Sequence, residues 1–349
     1  MHTSVLEHIR CPQTLGPLDL KVTRAEGDEV VEGHLTARGN GSQSATGAYP
    51  IHNGIPGFVR DEVLATQTVR SFAQKWSKHV YYREHTSKFY TQWYLERYGF
   101  NTPEALAAFL RPCRFVLDAG TGMGRDAALF AAQSTATVFG VDTSREALEV
   151  ARQSVNDPRV VFVQADINQL PFPDGFFDFI SCDQVIHHTA GPRAAFDSLA
   201  RKLKSGGQIC CYVYKKKAVL REFADDYVRE KISKLPIDQA MAICEGITRL
   251  GKALAGLKAE LVVEEDIPVL GIRSGRYDVQ RFFHFNVMKC FWNDDFDFFT
   301  NNIINFDWYH PEYCFRYEPD EFRAWFEGGW KIRSWNVQDA GISCRAEKT

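Results

Sequence analysis

The sequence lacks the features that mark membrane and secreted proteins. None of its apolar stretches is long enough to cross a bilayer, and the first residues, MHTSVLEHIR, contain no apolar signal core. Its nine cysteines include no CxxC pair, and only Cys210 and Cys211 are adjacent. Such scattered cysteines are typical of reduced thiols. We therefore expect a cytoplasmic protein without membrane contact.

The chain also lacks an excess of charge of either sign. It has 41 Lys and Arg residues against 44 Asp and Glu residues, a net charge of -3. This balance predicts no general attraction to polyanions, so we expect no nucleic-acid partner. The 349 residues are 45% hydrophobic and 24% charged. These values are ordinary for a globular protein with one large core and a smaller unit.

A glycine-rich segment, FVLDAGTGMG, is the most informative part of the sequence. Its apolar run predicts a buried strand with Asp118 at the carboxyl end, where ligands bind in open α/β sheets. Gly120, Gly122 and Gly124 let the backbone approach a ligand. A dinucleotide site would carry its third glycine at the position of Arg125. The carboxylate two places before the first glycine instead suits a ligand with a cationic amino-acid portion.

Apolar strands and helical segments alternate over the next hundred residues. TVFGVD ends at Asp142, twenty-four positions after Asp118 and near the distance at which an acidic residue reaches ribose hydroxyls. A later strand precedes Asp166 and Ile167, a pair suited to an adenine amino group and ring face. The other predicted elements are helices at 145–154 and 192–203 and strands at 160–164, 177–181 and 208–214. This order predicts an α/β fold with a doubly wound, mostly parallel sheet.

Together these motifs resemble the class I S-adenosylmethionine-dependent methyltransferases, from about Arg114 to Tyr214. DAGTGMG stands at that family's first motif, Asp142 at its second and Asp166 at its third, and LKSGG before the fifth strand is a further family mark. The resemblance implies a Rossmann-like sheet of seven strands, transferase activity and S-adenosyl-L-methionine as the cofactor.

The resemblance also assigns cofactor-binding residues. Asp118 would hold the methionine ammonium through water, and the glycine loop would line methionine and ribose. Asp142 would accept both ribose hydroxyls, or else serve only as a carboxylate at a helix N-terminus. Asp166 would define the adenine pocket with Ile167, or else be only a turn residue. The full predicted set is Asp118, Gly120, Thr121, Gly122, Gly124, Asp142, Thr143, Asp166, Ile167, Asp183 and Gln184.

The predicted catalytic segment, CDQVIHH, directly follows the fourth strand of this core. It is similar to the subgroup acting mostly on small molecules, in which a His pair follows that strand. Asp183 or Gln184 would face the sulfonium centre. His187 or His188 would be the general base, since imidazole titrates near working pH. The alternative is a His that only caps the turn.

Residues 1–60 resemble the short zinc-ribbon-like domain found at the front of some bacterial methyltransferases. Cys11 and Pro12 match that family's CPxC pair, but Thr14 replaces the second cysteine and no second pair precedes the YPI motif. Structural zinc needs about four ligands, so we expect no metal here. Packing, folding support or a lid is the role left to this domain.

A helical cap is predicted at residues 61–110, before the cofactor core at 111–214. The cap is rich in aromatic residues, which near a sulfonium give cation–π stabilisation and exclude water. Trp76, Tyr81 and Tyr82 are the cap residues that we expect to face the substrate; the alternative for these rings is ordinary helix packing.

An aromatic insertion at 215–318 follows the core. Its density of aromatic residues predicts either a substrate chamber or a subunit interface, as in a homodimer. Residues 319–349 predict a helix and a hairpin that complete the core sheet. Within the insertion, the residues expected to touch the acceptor are Trp308, Tyr309, His310 and Tyr313.

Three functional hypotheses follow from these features. The favoured one is methyl transfer to oxygen, nitrogen or carbon of a small molecule in a closed aromatic pocket. A second is an rRNA or tRNA methyltransferase, because some ribosomal RNA enzymes join a zinc ribbon to this core; residues 1–60, however, carry five Lys or Arg against six Asp or Glu. A third is another use of the same cofactor, such as intramolecular alkyl transfer or cyclisation, or binding without turnover.

Overall fold

The computed structural model describes residues 1–38, 47–78 and 81–349, with side chains described outside 74–88. The Gly- and Ser-rich stretch at 39–44 therefore lies outside the described residues. The chain divides into two compact units, each described here by itself. Unit 1 comprises Met1–Val213, Asp320–Asn336 and Ile342–Thr349, and unit 2 comprises Tyr214–Pro319 and Val337–Gly341.

Unit 1 begins with a small antiparallel sheet in the order β1-β2-β3-β4. Its strands are β1 Leu18–Glu26, β2 Glu29–Ala37, β3 Tyr49–His52 and β4 Ile55–Pro56. Ile9, Leu35 and Ile51 are fully buried beneath it. Cys11 is also buried, and its Sγ lies 3.4 Å from the Tyr49 hydroxyl. Among residues 1–38, 47–78 and 81–349, no group of three or more His, Cys, Asp or Glu is arranged to hold a metal ion.

The large sheet of unit 1 runs in the order β13-β14-β9-β8-β5-β6-β7. The five central strands, from β9 to β7, are parallel. β6 and β7 lie on one side of β5, and β8 and β9 lie on the other, so the order in which the chain adds strands reverses at β5. Open α/β sheets bind ligands at such a reversal, which here lies between β5 and β8. The strands are β5 Phe115–Ala119, β6 Thr137–Asp142, β7 Val160–Gln164, β8 Phe177–Cys182, β9 Leu203–Lys215, β13 Trp330–Val337 and β14 Gly341–Lys348. The predicted doubly wound α/β fold is confirmed.

The LKSGG segment differs from its predicted form. The predicted helix at 192–203 and strand at 208–214 leave most of this segment between them, but β9 already begins at Leu203. The pairing of β9 with β8 jumps from Leu203 to Gln208, while β8 advances only from Phe177 to Phe179. The segment is therefore a bulge inside the sheet, and the left-handed φ of 78° at Gly206 permits the bend.

Helices of unit 1 begin with the expected capping residues where these are present. Thr102 accepts a hydrogen bond from Ala105 N and precedes Pro103, and Ser144 accepts one from Ala147 N. The helices before β9 are α1 Asp61–Leu64, α2 Gln67–Lys78, α3 Tyr81–Arg97, α4 Pro103–Leu110, α5 Arg125–Ala132, α6 Arg145–Ser154 and α7 Pro192–Lys202. Near the end of the chain, α12 spans Pro319–Arg323.

Unit 2 is mainly helical. Its elements are α8 Val219–Ile232, α9 Ile237–Gly256, β10 Glu260–Val263, β11 Gly275–Asp278, α10 Val279–Asn286, α11 Phe298–Tyr309 and β12 Arg316–Tyr317. β10 and β11 form an antiparallel pair, and β12 is parallel to the last two residues of β9. The core of this unit contains Ile232, Cys244, Phe306, Trp308 and Tyr309. Within the described parts of both units, no helix is long and apolar enough to cross a membrane.

Candidate active site

The glycine-rich segment forms the turn between β5 and α5. The amides of Gly120 and Thr121 both donate to Val141 O, at 2.7 and 2.9 Å, and so fasten the turn to β6. Gly120 and Gly124 have φ angles of 79° and 77°, and a Cβ at Gly120 would collide with Val185. Backbone hydrogen bonds thus shape a tight loop that only glycine can form at these positions.

Asp118 ends β5 in a buried position, with 3% of its surface exposed. Its Oδ2 accepts a hydrogen bond of 2.6 Å from Thr121 Oγ1. The nearby Arg125 donates instead to Asp126, with 2.7 Å between Nε and Oδ1. Burial, and then the charge of Asp126, raises the pKa of Asp118 to about 8. A cationic ligand group would relieve this concentration of negative charge, as the predicted ammonium site requires.

Asp142 ends the neighbouring strand, β6, and is half-buried. Its Oδ2 accepts from Gly122 N and its Oδ1 from Ser144 N, both at 2.9 Å. The carboxylate therefore joins the glycine turn to the start of α6, and burial raises its pKa. A carboxylate offers about four acceptor positions. The remaining ones suit a pair of ligand hydroxyls, so the ribose role stays a prediction that the geometry permits.

The predicted adenine residues follow β7. Asp166 Oδ1 accepts from both the amide and the side-chain nitrogen of Asn168, at 2.9 Å each, so Asp166 does act as a turn residue. Ile167 is buried. Thr143, which follows β6, is tied to the end of β7 because its carbonyl accepts from Gln164 Nε2 at 2.9 Å. Adenine contact at Asp166 and Ile167 stays a prediction.

Asp183, directly after β8, is enclosed by the end of α3. Arg97 donates to its Oδ2, Tyr98 donates to its Oδ1 at 2.8 Å, and Gln184 Nε2 lies 3.2 Å from Oδ2. The Arg97 guanidinium is fully buried, with its Cζ 3.9 Å from the ring centre of Trp93. Both carboxylate oxygens are therefore engaged by protein donors, which fix the position of the segment that follows β8.

Sequence reasoning missed Arg97 and Tyr98. They precede Asp183 by 86 and 85 residues, and they stand in a stretch of aromatic residues that gave no local sign of an ion pair. The only available signal was the Arg itself, because a cation inside an otherwise aromatic helix needs a partner when it is buried.

The residues after Asp183 form a strained turn, and its two histidines differ in exposure to solvent. Gln184 has a φ of 59°, a left-handed conformation that costs a non-glycine residue about 1–3 kcal/mol and is concentrated at functional sites. His187 is fully buried, with Nδ1 3.4 Å from Tyr212 O. His188 is half-buried, and its ring packs edge-on against Phe72 with 5.1 Å between ring centres. Of the predicted pair, His188 is therefore the better placed to meet an acceptor.

The predicted acceptor residues of the insertion lie in unit 2, and three of them are buried. Trp308 Nε1 and the Tyr309 hydroxyl both donate to Asp225, at 2.7 and 2.8 Å, and His310 Nε2 lies 3.1 Å from Leu235 O. Tyr313 lines a cavity of about 360 Å³ in this unit. Their contact with an acceptor stays a prediction. The side chains of Trp76, Tyr81 and Tyr82, predicted for the same role, lie outside the described residues.

The strand order, with carboxylates at the ends of β5 and β6, defines a Rossmann-like domain. A family described as the methyltransferase domain matches residues 117–211. A demethylmenaquinone methyltransferase from Clavibacter sepedonicus is 41% identical over 95 residues, which are 27% of this chain and 38% of that protein. The methyltransferase GfsG from Streptomyces halstedii is 34% identical over 142 residues, 40% of this chain and 45% of that protein.

Among solved structures, a phosphoethanolamine N-methyltransferase from Haemonchus contortus, in complex with phosphomonomethylethanolamine and S-adenosylhomocysteine, is 24% identical. The alignment covers 52% of this chain and 42% of that one, with a TM-score of 0.36. The chain thus spans less than half the length of the two curated relatives. Residues 117–211 therefore match a methyltransferase domain, a kind of domain that uses S-adenosylmethionine as its cofactor.

Proposed function

We propose that this protein transfers the methyl group of S-adenosylmethionine to a small-molecule acceptor. The observation that carries the proposal is the pair of strand-end carboxylates on either side of the glycine turn. Asp118 is buried without a directly bonded cation among the described residues, and Asp142 is half-buried with acceptor capacity to spare. The first suits an ammonium and the second a ribose diol. The relative named as a demethylmenaquinone methyltransferase supports a small acceptor.

These residues would hold the cofactor along the ends of β5, β6 and β7. Asp118 would attract the methionine ammonium, the backbone from Gly120 to Gly124 would line methionine and ribose, and Asp142 would accept the ribose hydroxyls. Ile167 would pack on adenine. When bound, S-adenosylmethionine supplies a methyl group that the positive sulfur already activates.

The protein then has to orient the acceptor and remove its proton. Arg97 and Tyr98 fix Asp183, and with it the left-handed turn at Gln184. His188, half-buried beside this turn, would take the proton from the acceptor. Orientation in a dry pocket supplies much of the rate for an activated methyl donor, so one imidazole is sufficient as a base.

Analysis of the cofactor product tests the reaction class. Incubated with S-adenosylmethionine and a panel of small-molecule acceptors, including quinone precursors, the protein should release S-adenosylhomocysteine and a methylated acceptor. Methylthioadenosine would instead show alkyl transfer, and binding without turnover of any acceptor, RNA included, would show a binding module. Turnover with RNA alone would overturn the small-molecule assignment.

Replacement of Asp142 tests the cofactor site separately from the acceptor. Asp142→Ala should weaken binding of S-adenosylhomocysteine at least tenfold in calorimetry, because hydrogen bonds to a charged group contribute about 1.5–3 kcal/mol. Asp157→Ala is the matched control, since Asp157 and its partner Arg159 both precede β7, whereas Asp142 ends β6. Unchanged affinity in Asp142→Ala, with thermal unfolding like that of the wild type, would remove the ribose assignment.

A further inference from the structure

Three cations surround one buried indole in unit 2. The ring of Trp308, 2% exposed, has Lys289 Nζ at 4.9 Å, Arg221 Cζ at 5.2 Å and Lys217 Nζ at 5.9 Å from its centre. A cation over an aromatic face is stabilised by the ring. Three cations around the same ring also repel one another, so each of them needs a carboxylate or another acceptor nearby. We call these residues, together with His284, the Trp308 cluster.

Neutralisation within the Trp308 cluster is incomplete. Asp225 pairs with Arg221, with 2.8 Å between Oδ2 and Nε, and its oxygens also accept from Trp308 Nε1, the Tyr309 hydroxyl and the amide of Lys289. The Lys217 ammonium is held only by backbone carbonyls, those of Lys215, Asp339 and Ala340. The Lys289 ammonium has no hydrogen bond or ion pair with any described residue.

The carboxylates that act on Lys289 are Asp225 and Asp307, and Glu222, which pairs with Arg316, acts on Lys217. Among the described residues, none of these carboxylates forms an ion pair with either lysine. These surroundings affect the protonation of the cluster. Burial, and then the charge of Arg221, lowers the pKa of Lys289 to about 8. Burial and the neighbouring cations also lower the pKa of His284, whose buried Nδ1 has no hydrogen-bond partner in the described part of the chain.

We propose that the Trp308 cluster binds the carboxylate or phosphate group of a small molecule. Such an oxyanion would accept a hydrogen bond from the ammonium of Lys289 and would supply the charged partner that this lysine lacks among the described residues. Lys217 and Lys289 are both half-buried, so the cluster is accessible from solvent while remaining less hydrated than a surface site. The proposed site lies within unit 2 and is independent of the methyl-transfer assignment.

The same unit contains a matched contrast. Lys252 Nζ lies 5.1 Å from the ring centre of Trp292, whose Nε1 donates to Asp294 at 2.7 Å. This arrangement repeats the lysine, indole and carboxylate of the Trp308 cluster, but no second cation lies over Trp292 among the described residues. If the grouping of several cations around one ring, rather than a single lysine over a tryptophan, creates the site, only the Trp308 cluster should bind anions.

Calorimetric titration of the full chain with inorganic phosphate, and separately with acetate, tests the proposal at constant ionic strength set by chloride. We expect saturable binding that Lys289→Gln weakens at least tenfold, that Lys289→Arg retains and that Lys252→Gln leaves unchanged. Binding of phosphate alone would identify a phosphate ligand, and binding of both anions would extend the site to carboxylates.

Other outcomes would overturn the proposal. These are the absence of saturable binding of either anion to the wild type, equal affinity in wild type and Lys289→Gln, or equal losses in Lys289→Gln and Lys252→Gln. Circular dichroism of each variant shows whether it is folded. Lys289→Met also removes the charge but keeps the aliphatic packing of the side chain. If Lys289→Gln does not fold, the anion affinity of Lys289→Met tests the proposal instead.

Discussion

Carboxylates in the two units have opposite surroundings, although the sequence presents all of them near aromatic or glycine-rich motifs. Asp118 and Asp142 of unit 1 accept hydrogen bonds from the adjacent turn and helix start, and no cation is bonded to either among the described residues. Asp225 of unit 2 is buried like Asp118, but it accepts from Arg221, Trp308, Tyr309 and the Lys289 amide. The carboxylates of Asp118 and Asp142 can accept further hydrogen bonds from a ligand, whereas the carboxylate of Asp225 stabilises unit 2.

The comparison shows that aromatic density is a weaker guide to a site than unused hydrogen-bonding capacity. The FDWYHPEY segment was the part of the insertion that we expected to touch the acceptor. Its Trp308 and Tyr309 are held by Asp225, and Arg229 donates to the carbonyls of Trp308, Pro311 and Glu312. Buried polar groups need partners, and here they find them within the unit.

The largest effect is expected at Asp225. Asp225→Asn removes the charge that balances the buried Arg221, and breaking a buried ion pair in this way costs about 3–5 kcal/mol. Denaturant unfolding should show this loss. Asp226→Asn is the neighbouring control, because Asp226 is 58% exposed and its pair with Arg316 contributes about 0–1 kcal/mol. Equal stabilities of the two variants would mean that Asp225 does not support unit 2 and would remove the contrast between the units.

A smaller effect distinguishes the histidines. His188→Ala should lower turnover about 100-fold through loss of the general base, with little change in S-adenosylhomocysteine affinity. The corresponding His310→Ala in unit 2 should instead lower the melting temperature, because His310 is buried and stacks on Phe306 with 4.7 Å between ring centres. Steady-state kinetics and thermal unfolding measure both. Turnover of His188→Ala equal to that of the wild type would return His188 to a structural role.

The smallest effect concerns the pH dependence of stability. With the pKa of Asp118 raised to about 8, the folded protein keeps the Asp118 proton at pH values where the unfolded chain, with an ordinary Asp pKa of about 4, has lost it. This stabilisation is complete at low pH and is lost as the pH rises through about 8. Relative to Asp118→Asn, the wild type should lose about 1 kcal/mol of unfolding free energy between pH 7 and 9.

Denaturant unfolding of both proteins at the two pH values measures this difference. Groups that titrate in the same range, such as Lys289 in unit 2, are present in both proteins and therefore cancel in the comparison. Parallel pH profiles for wild type and Asp118→Asn would show that Asp118 is ionised in the folded state. Asp118 would then be a stabilised charged carboxylate, like Asp225, and the contrast between the two units would be weaker.

Local patterns were enough to predict the glycine turn and the strand ends at which we place the cofactor. The glycines at 120 and 124, the carboxylates at the ends of β5 and β6 and the turn at Asp166 each depend on residues close in sequence, so short-range physics decides them. The bulge at LKSGG was not predicted, because the register of β9 against β8 depends on strands far apart along the chain.

The sequence by itself determined the sheet, the glycine turn and the class of cofactor, because strand periodicity and positive φ angles are properties of neighbouring residues. Only the tertiary structure decided which charged groups are neutralised. Arg97 meets Asp183 across 86 positions and Trp308 meets Asp225 across 83. The energy of a buried charge depends on what the fold brings to it, and no local pattern records that.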